Sequence, residues 1–167
     1  VTHHIFKVQS LRCGSEQMKE IKYWTRYCIE HQHFDYLPKL NSCISYKFDK
    51  KSLICINSEK LIAVDDELIS EIKYIFKGYI AKAFIELSAN DIDVILERIS
   101  QSTQFCKRIS VDFESFFVTL LNDLREIAHK QGDTIFSLDF HFENFMIRPS
   151  TGQLVIVDAF SCSMYNE

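Results

Sequence analysis

A stretch rich in β-branched and aromatic residues lies near the start of the chain. Thr2-His3-His4-Ile5-Phe6-Lys7-Val8 has that content and predicts a strand over residues 2–8. From Ser15 the pattern changes. Met18, Ile21, Trp24 and Cys28 recur at helical intervals, predicting an amphipathic helix to about Gln32, with Ser15 as N-cap and Glu16 in its first turn. Pro38 leads into LNSCISYKF, and Asp49-Lys50-Lys51 reads as a turn into SLICINS, which together predict a β-hairpin. Asp65-Asp66-Glu67 puts negative charge where the helix dipole is positive. A helix is therefore predicted to carry Leu68, Ile69, Ile72, Ile75, Phe76, Tyr79 and Ile80, and a shorter one to run from Asn90 to Ile99. The strongest periodicity lies in 112–131, whose apolar face is Phe113, Phe116, Phe117, Leu120, Leu124 and Ile127, with Gly132 suited to a left-handed C-terminal cap. A last strand pair is NFMIR, a turn at Pro149-Ser150-Thr151-Gly152, and QLVIVDAF. Strands at the front and helices behind them make the expected class α+β.

Composition narrows the function classes. The chain has 167 residues, one domain's worth, enough to hide roughly 70% of its unfolded surface. With four Gly and two Pro, regular structure dominates. The net charge is −4 and the Lys and Arg residues are scattered, which argues against nucleic-acid binding. No apolar run approaches the roughly 20 residues of a membrane helix. Six widely spaced cysteines, with no CxxC pair and no signal peptide, are expected to be reduced and mostly buried in a cytoplasmic protein. Opening on Val rather than Met, the chain is expected to have lost N-terminal residues.

The chemistry concentrates in Ser137-Leu138-Asp139-Phe140-His141-Phe142-Glu143-Asn144 and in Asp158-Ala159-Phe160. Phosphoryl transfer from ATP needs a carboxylate to orient the attacking hydroxyl and take its proton, oxygen ligands for Mg²⁺, and a cation on the phosphates. Asp139 suits the first role. Asn144 can offer an amide oxygen and Asp158 the hard carboxylate that Mg²⁺ prefers. The intervening hairpin returns the chain, so ligands distant in sequence converge. His31, His33 and Asp35 lack matching partners and read as surface residues, and Trp24 reads as core.

Asp139 and Asn144 resemble the protein-kinase catalytic loop H-R-D-x-x-x-x-N, with Asp158-Ala159-Phe160 standing where D-F-G would be. His141, two residues after Asp139, is similar to the D-x-H-x-x-N of aminoglycoside- and choline-type kinases. The string LDFHFENFMIR with GQLVIVDAFS most resembles the early protein kinases of T7-like bacteriophages. That resemblance implies a two-lobed kinase-like fold, with residues 1–64 as an incomplete small β-lobe and 65–167 as a mostly helical large lobe. It also implies ATP and Mg²⁺ as cofactors and Ser/Thr phosphorylation of host proteins in the infected cytoplasm. Lys7, in Ile5-Phe6-Lys7, would be the phosphate-binding lysine, and Glu20, with Glu16 as alternative, its partner. The adenine-gripping hinge would lie near Asn57 to Lys60.

The chain departs from the family pattern. Ser137-Leu138 replaces His-Arg, Ala159-Phe160 replaces Phe-Gly, and no Gly-rich loop precedes Lys7. Two alternatives therefore stand beside the protein kinase: a small-molecule kinase, and a non-catalytic kinase-like domain that binds and blocks a host protein.

Overall fold

A computed structural model of the chain describes residues 4–132 and 134–164. Thr2 and His3 of the predicted first strand lie outside these. The strand itself, β1 (His4–Arg12), continues past Val8. Helix α1 (Glu16–Glu30) starts where predicted, the Ser15 side chain accepting from the Met18 N–H, and stops at His31, short of Gln32. Strands β2 (Leu40–Phe48) and β3 (Lys51–Glu59) form the predicted hairpin, with Asp49 at φ 55° in its turn. Asp tolerates that left-handed conformation better than most residues. β3 also pairs antiparallel with β1, Lys7 opposite Ile56, so the sheet order is β1-β3-β2. Its residues alternate between two faces. Leu11, Ser52 and Ile54 are buried on the α1 side, while Val8, Ile44 and Tyr46 are exposed on the other.

The two-residue β4 (Ile62–Ala63) precedes α2 (Asp66–Ile75), which Asp65 caps by accepting from the Leu68 N–H. That helix was predicted to reach Ile80. Gly78 at φ 86° and Ala81 at φ 67° turn the chain instead, leaving Tyr79 and Ile80 outside it. Helix α3 (Ala89–Ser100) opens on a capping box between Ser88 and Asp91. The single-turn α4 (Thr103–Cys106) has no periodic signature. Helix α5 (Phe113–Lys130) buries the predicted face except Ile127, which is half-buried, and buries Leu121 and Ala128 as well. Its cap is Gln131, whose N–H reaches the Ala128 carbonyl; Gly132 does not take the left-handed conformation expected of it.

Three strands were missed, the short β4 and two more. β5 (Thr134–Leu138) pairs with β8 (Phe160–Met164), while β6 (Phe145–Arg148) and β7 (Gln153–Ile156) form the predicted hairpin. The QLVIVDAF run therefore divides. β7 ends at Ile156, a link carries Val157-Asp158-Ala159, and β8 begins at Phe160. β4 pairs with β6, tying residues 62–63 to the hairpin.

One buried core joins α1, the Tyr36-Leu37 segment, α2 to α5 and the last four strands. Phe76, Phe113, Phe117, Phe140 and Phe145 are each almost fully buried, and burying such a side chain contributes roughly 1.5–3 kcal/mol. The class is α+β, as expected. All six cysteines are free, but only Cys28 and Cys162 are buried, and Cys43 and Cys106 are exposed, which corrects the expectation of mostly buried thiols. Among the described residues no helix is long and apolar enough to cross a membrane.

Candidate functional site

Two buried rings hold the acidic residues in place. Phe140, next to Asp139, packs against Phe76 with ring centroids 4.8 Å apart. Phe160, two residues after Asp158, packs edge-on to Trp24 at 6.1 Å and against Phe136 at 5.3 Å. Backbone bonds then join the two segments. The Asp139 N–H donates to the Ala159 carbonyl at 3.1 Å, and the Val157 N–H donates to the Asn144 carbonyl at 2.9 Å. The chain thus brings Asp139, Asn144 and Asp158 together.

Their side chains are set differently. Asn144 donates through Nδ2 to the Asp139 carbonyl at 2.7 Å. An amide anchored by its nitrogen keeps its oxygen for another partner. Asp139 Oδ1 lies 3.2 Å from His141 Nε2. Asp158 Oδ1 is shielded and has no hydrogen-bond partner. Burial pushes the Asp158 carboxyl up to about 7, and the charges of Asp139 and Glu20 add to that, against the opposing N–H groups of Phe160 and Ala159.

Above this floor is a cavity of about 360 Å³, within the size range of small-molecule sites. Asn144, Asp158 and Glu143 line it together with Lys7, Ile5 and Ile56 of the sheet, while Asp139 lies outside the lining. Pro38, Leu40, Leu61 and Met146 supply an apolar end. Ser58 and Glu59, from the predicted hinge, also line it. The Glu59 carboxylate is taken by Arg148, which bonds it through Nε at 2.8 Å and Nη2 at 2.7 Å.

Lys7 lines the cavity, but no ion pair joins it to Glu20 among the described residues. Glu20 instead accepts from the Cys162 N–H at 2.7 Å. Burial raises its carboxyl above the ordinary range, that N–H opposes the rise, and Asp139 adds to it. Trp24, read from the pattern as core alone, also lines the cavity and donates to the Val157 carbonyl at 2.6 Å. As the single Trp, on the face of α1 that carries Ile21, it was the one signal for this second role.

Among the described residues no three His, Cys, Asp or Glu side chains form a metal cage. A dedicated cage is not what Mg²⁺ requires. It keeps several waters and is held by one or two carboxylates plus substrate phosphates. The Asp158 oxygen without a hydrogen-bond partner, in the same cavity lining as Asn144, fits that demand, since a cation would satisfy it. Comparison with protein-family models, with curated proteins and with solved structures returns no match to this chain.

Proposed function

We propose that the chain is an ATP- and Mg²⁺-dependent phosphotransferase of protein-kinase-like, two-lobed architecture, acting on Ser or Thr hydroxyls of a host protein. One observation carries this reading. Asn144 and Asp158 line a cavity that Lys7 also lines, and hydrogen bonds to Ala159 and Asn144 hold Asp139 next to them. Element order supports it too, since a Lys-bearing strand, a helix and a hairpin precede the acidic loop and its returning hairpin.

In this scheme the apolar end of the cavity receives the purine, and Lys7 steadies the phosphates. Asn144 and Asp158 would hold Mg²⁺, which supplies charge neutralisation at the phosphates. Asp139, oriented by His141, accepts the proton of the acceptor hydroxyl. The acceptor oxygen forms a bond to the γ-phosphorus as the bond to the β–γ bridging oxygen breaks, and ADP leaves. Glu20, committed to Cys162, secures α1 rather than orienting Lys7.

Incubation with γ-labelled ATP, Mg²⁺ and protein acceptors tests the scheme. Asp139→Asn is expected to lower incorporation about 10²–10⁴-fold, the usual worth of a positioned base. Unchanged incorporation would sink the assignment. The His141–Asp139 contact favours a second reading, a small-molecule kinase, and turnover of ATP on alcohols or amines without protein labelling would select it.

A further inference from the structure

A larger cavity, about 630 Å³, lies between α1 and the α1-facing side of β2 and β3, and the phosphotransfer scheme does not use it. Its body is apolar, with Met18, Ile21 and Ile29 from the helix and Ile54 from the sheet. Its rim is cationic. Lys19, Lys22 and Arg26 stand on the helix bank and Lys47 on the strand bank, with Glu30 the one carboxylate in the wall. Four cations against one anion reverse the sign of a chain whose net charge is −4. Glu30 is already engaged by Arg26 at 2.8 Å. Lys22 and Lys47 form no ion pair among the described residues, and Ile29 is 45% exposed.

Unbalanced cations on opposite banks of an apolar trough ask for two anionic groups flanking an apolar one. A peptide supplies that arrangement, and a single-headed amphiphile does not. The groove also communicates with the first cavity, because Ile21 and Thr25 line both. We infer that this groove docks a partner-protein segment in which apolar side chains alternate with acidic ones, and that docking is felt in the cleft through Ile21 and Thr25. Apolar side chains fill the trough and remove Ile29 and the half-buried Met18 and Ile21 from water, while carboxylates meet Lys22 and Lys47. The chain's own acidic-apolar-acidic runs, Asp91-Ile92-Asp93 and Asp112-Phe113-Glu114, keep Ile92 and Phe113 in the core, where they are 9% and 2% exposed, so a second copy does not offer them.

The test uses the full chain and a six-residue peptide of alternating glutamate and phenylalanine, with the lysine–phenylalanine counterpart as control. Fluorescence anisotropy of the labelled peptides is expected to show the acidic one binding at least tenfold more tightly. Lys22→Glu with Lys47→Glu is expected to reverse that preference while leaving the melting temperature within about 2 °C, as exposed substitutions do. Unlabelled acidic peptide should shift the emission of Trp24, the only Trp and the neighbour of Thr25. Absence of binding, equal affinity for both peptides, or indifference to the double charge reversal overturns the site. Binding with unaltered Trp24 emission overturns the coupling. A dimer in sedimentation that the double reversal dissolves overturns the partner, making a second copy the occupant. No readout involves nucleotide, so the outcome is independent of the phosphotransfer reading.

Discussion

Glu20 in α1 accepts a 2.7 Å hydrogen bond from the backbone N–H of Cys162 in β8, 142 residues away in the chain. One turn along the helix, Trp24 donates to the Val157 carbonyl at 2.6 Å. These two bonds bracket Asp158, so the seat of α1 and the position of that carboxylate are one structural fact. A glutamine at position 20 keeps an acceptor for the Cys162 N–H, whereas an alanine leaves that donor unpaired, at a cost of about 1–3 kcal/mol. Glu20→Gln is therefore expected to retain stability and phosphotransfer, and Glu20→Ala to lose both, in urea titrations and labelling assays run side by side. A stable Glu20→Gln as inactive as Asp139→Asn would instead restore a charge role for Glu20 toward Lys7.

Phe140 anchors the acidic loop. Its ring is 1% exposed and meets Phe76, Phe117 and Phe145. Phe140→Ala is expected to cost about 3–5 kcal/mol in chemical denaturation, and Phe140→Leu clearly less. A loss under 1 kcal/mol for the alanine would mean that the loop is held by its backbone bonds alone.

Long-period elements were legible in the sequence because their signals are local. Ser15 and the Met18-to-Cys28 spacing place α1, and the Phe-rich face of 112–131 places α5. Asp139, Asn144 and Asp158 were legible because a hairpin with its own turn residues joins them. What escaped the pattern depends on pairing at a distance. β5 and β8 are five residues each and become strands by pairing with one another, β5 bridging Ala83 as well. The end of α2 was set by Gly78 in a left-handed turn, which periodicity through Tyr79 and Ile80 concealed. Glu20 was assigned to Lys7 from helix position, and nothing local marks Cys162 as its partner.

Arg148 is 8% exposed and meets Glu59 with two hydrogen bonds while its Nη1 and Nη2 donate to the carbonyls of Asp35 and Leu37. It thereby ties β6 to the end of β3 at the rim of the cleft. Removing one member of a buried pair leaves an uncompensated charge, worth about 3–5 kcal/mol. Arg148→Met is expected to lose that much, and adding Glu59→Gln to recover part of it. A double mutant whose loss equals the sum of the singles would show that the pair is not coupled.

Asp158 makes stability depend on pH. Burial raises its carboxyl from the ordinary 3.8 to about 7, so between these values the folded chain binds more protons than the unfolded one. Stability must then fall as pH rises through that window, and level off above it. Glu20, raised mainly by burial, acts in the same direction. Asp158→Asn keeps the shape and removes the titration. In metal-free buffer it is expected to exceed the parent chain at pH 8 by roughly 2–4 kcal/mol, with the gap closing toward pH 4. Millimolar Mg²⁺ with ADP should stabilise the parent at pH 8 and the Asn variant much less, because a cation on the Asp158 carboxylate offsets the burial of its charge. Melting temperatures from pH 4 to 8, with chelator and then with Mg²⁺ and ADP, read both effects. Parallel pH curves would clear Asp158 of the titration, and equal metal-linked shifts would remove it from the proposed Mg²⁺ site.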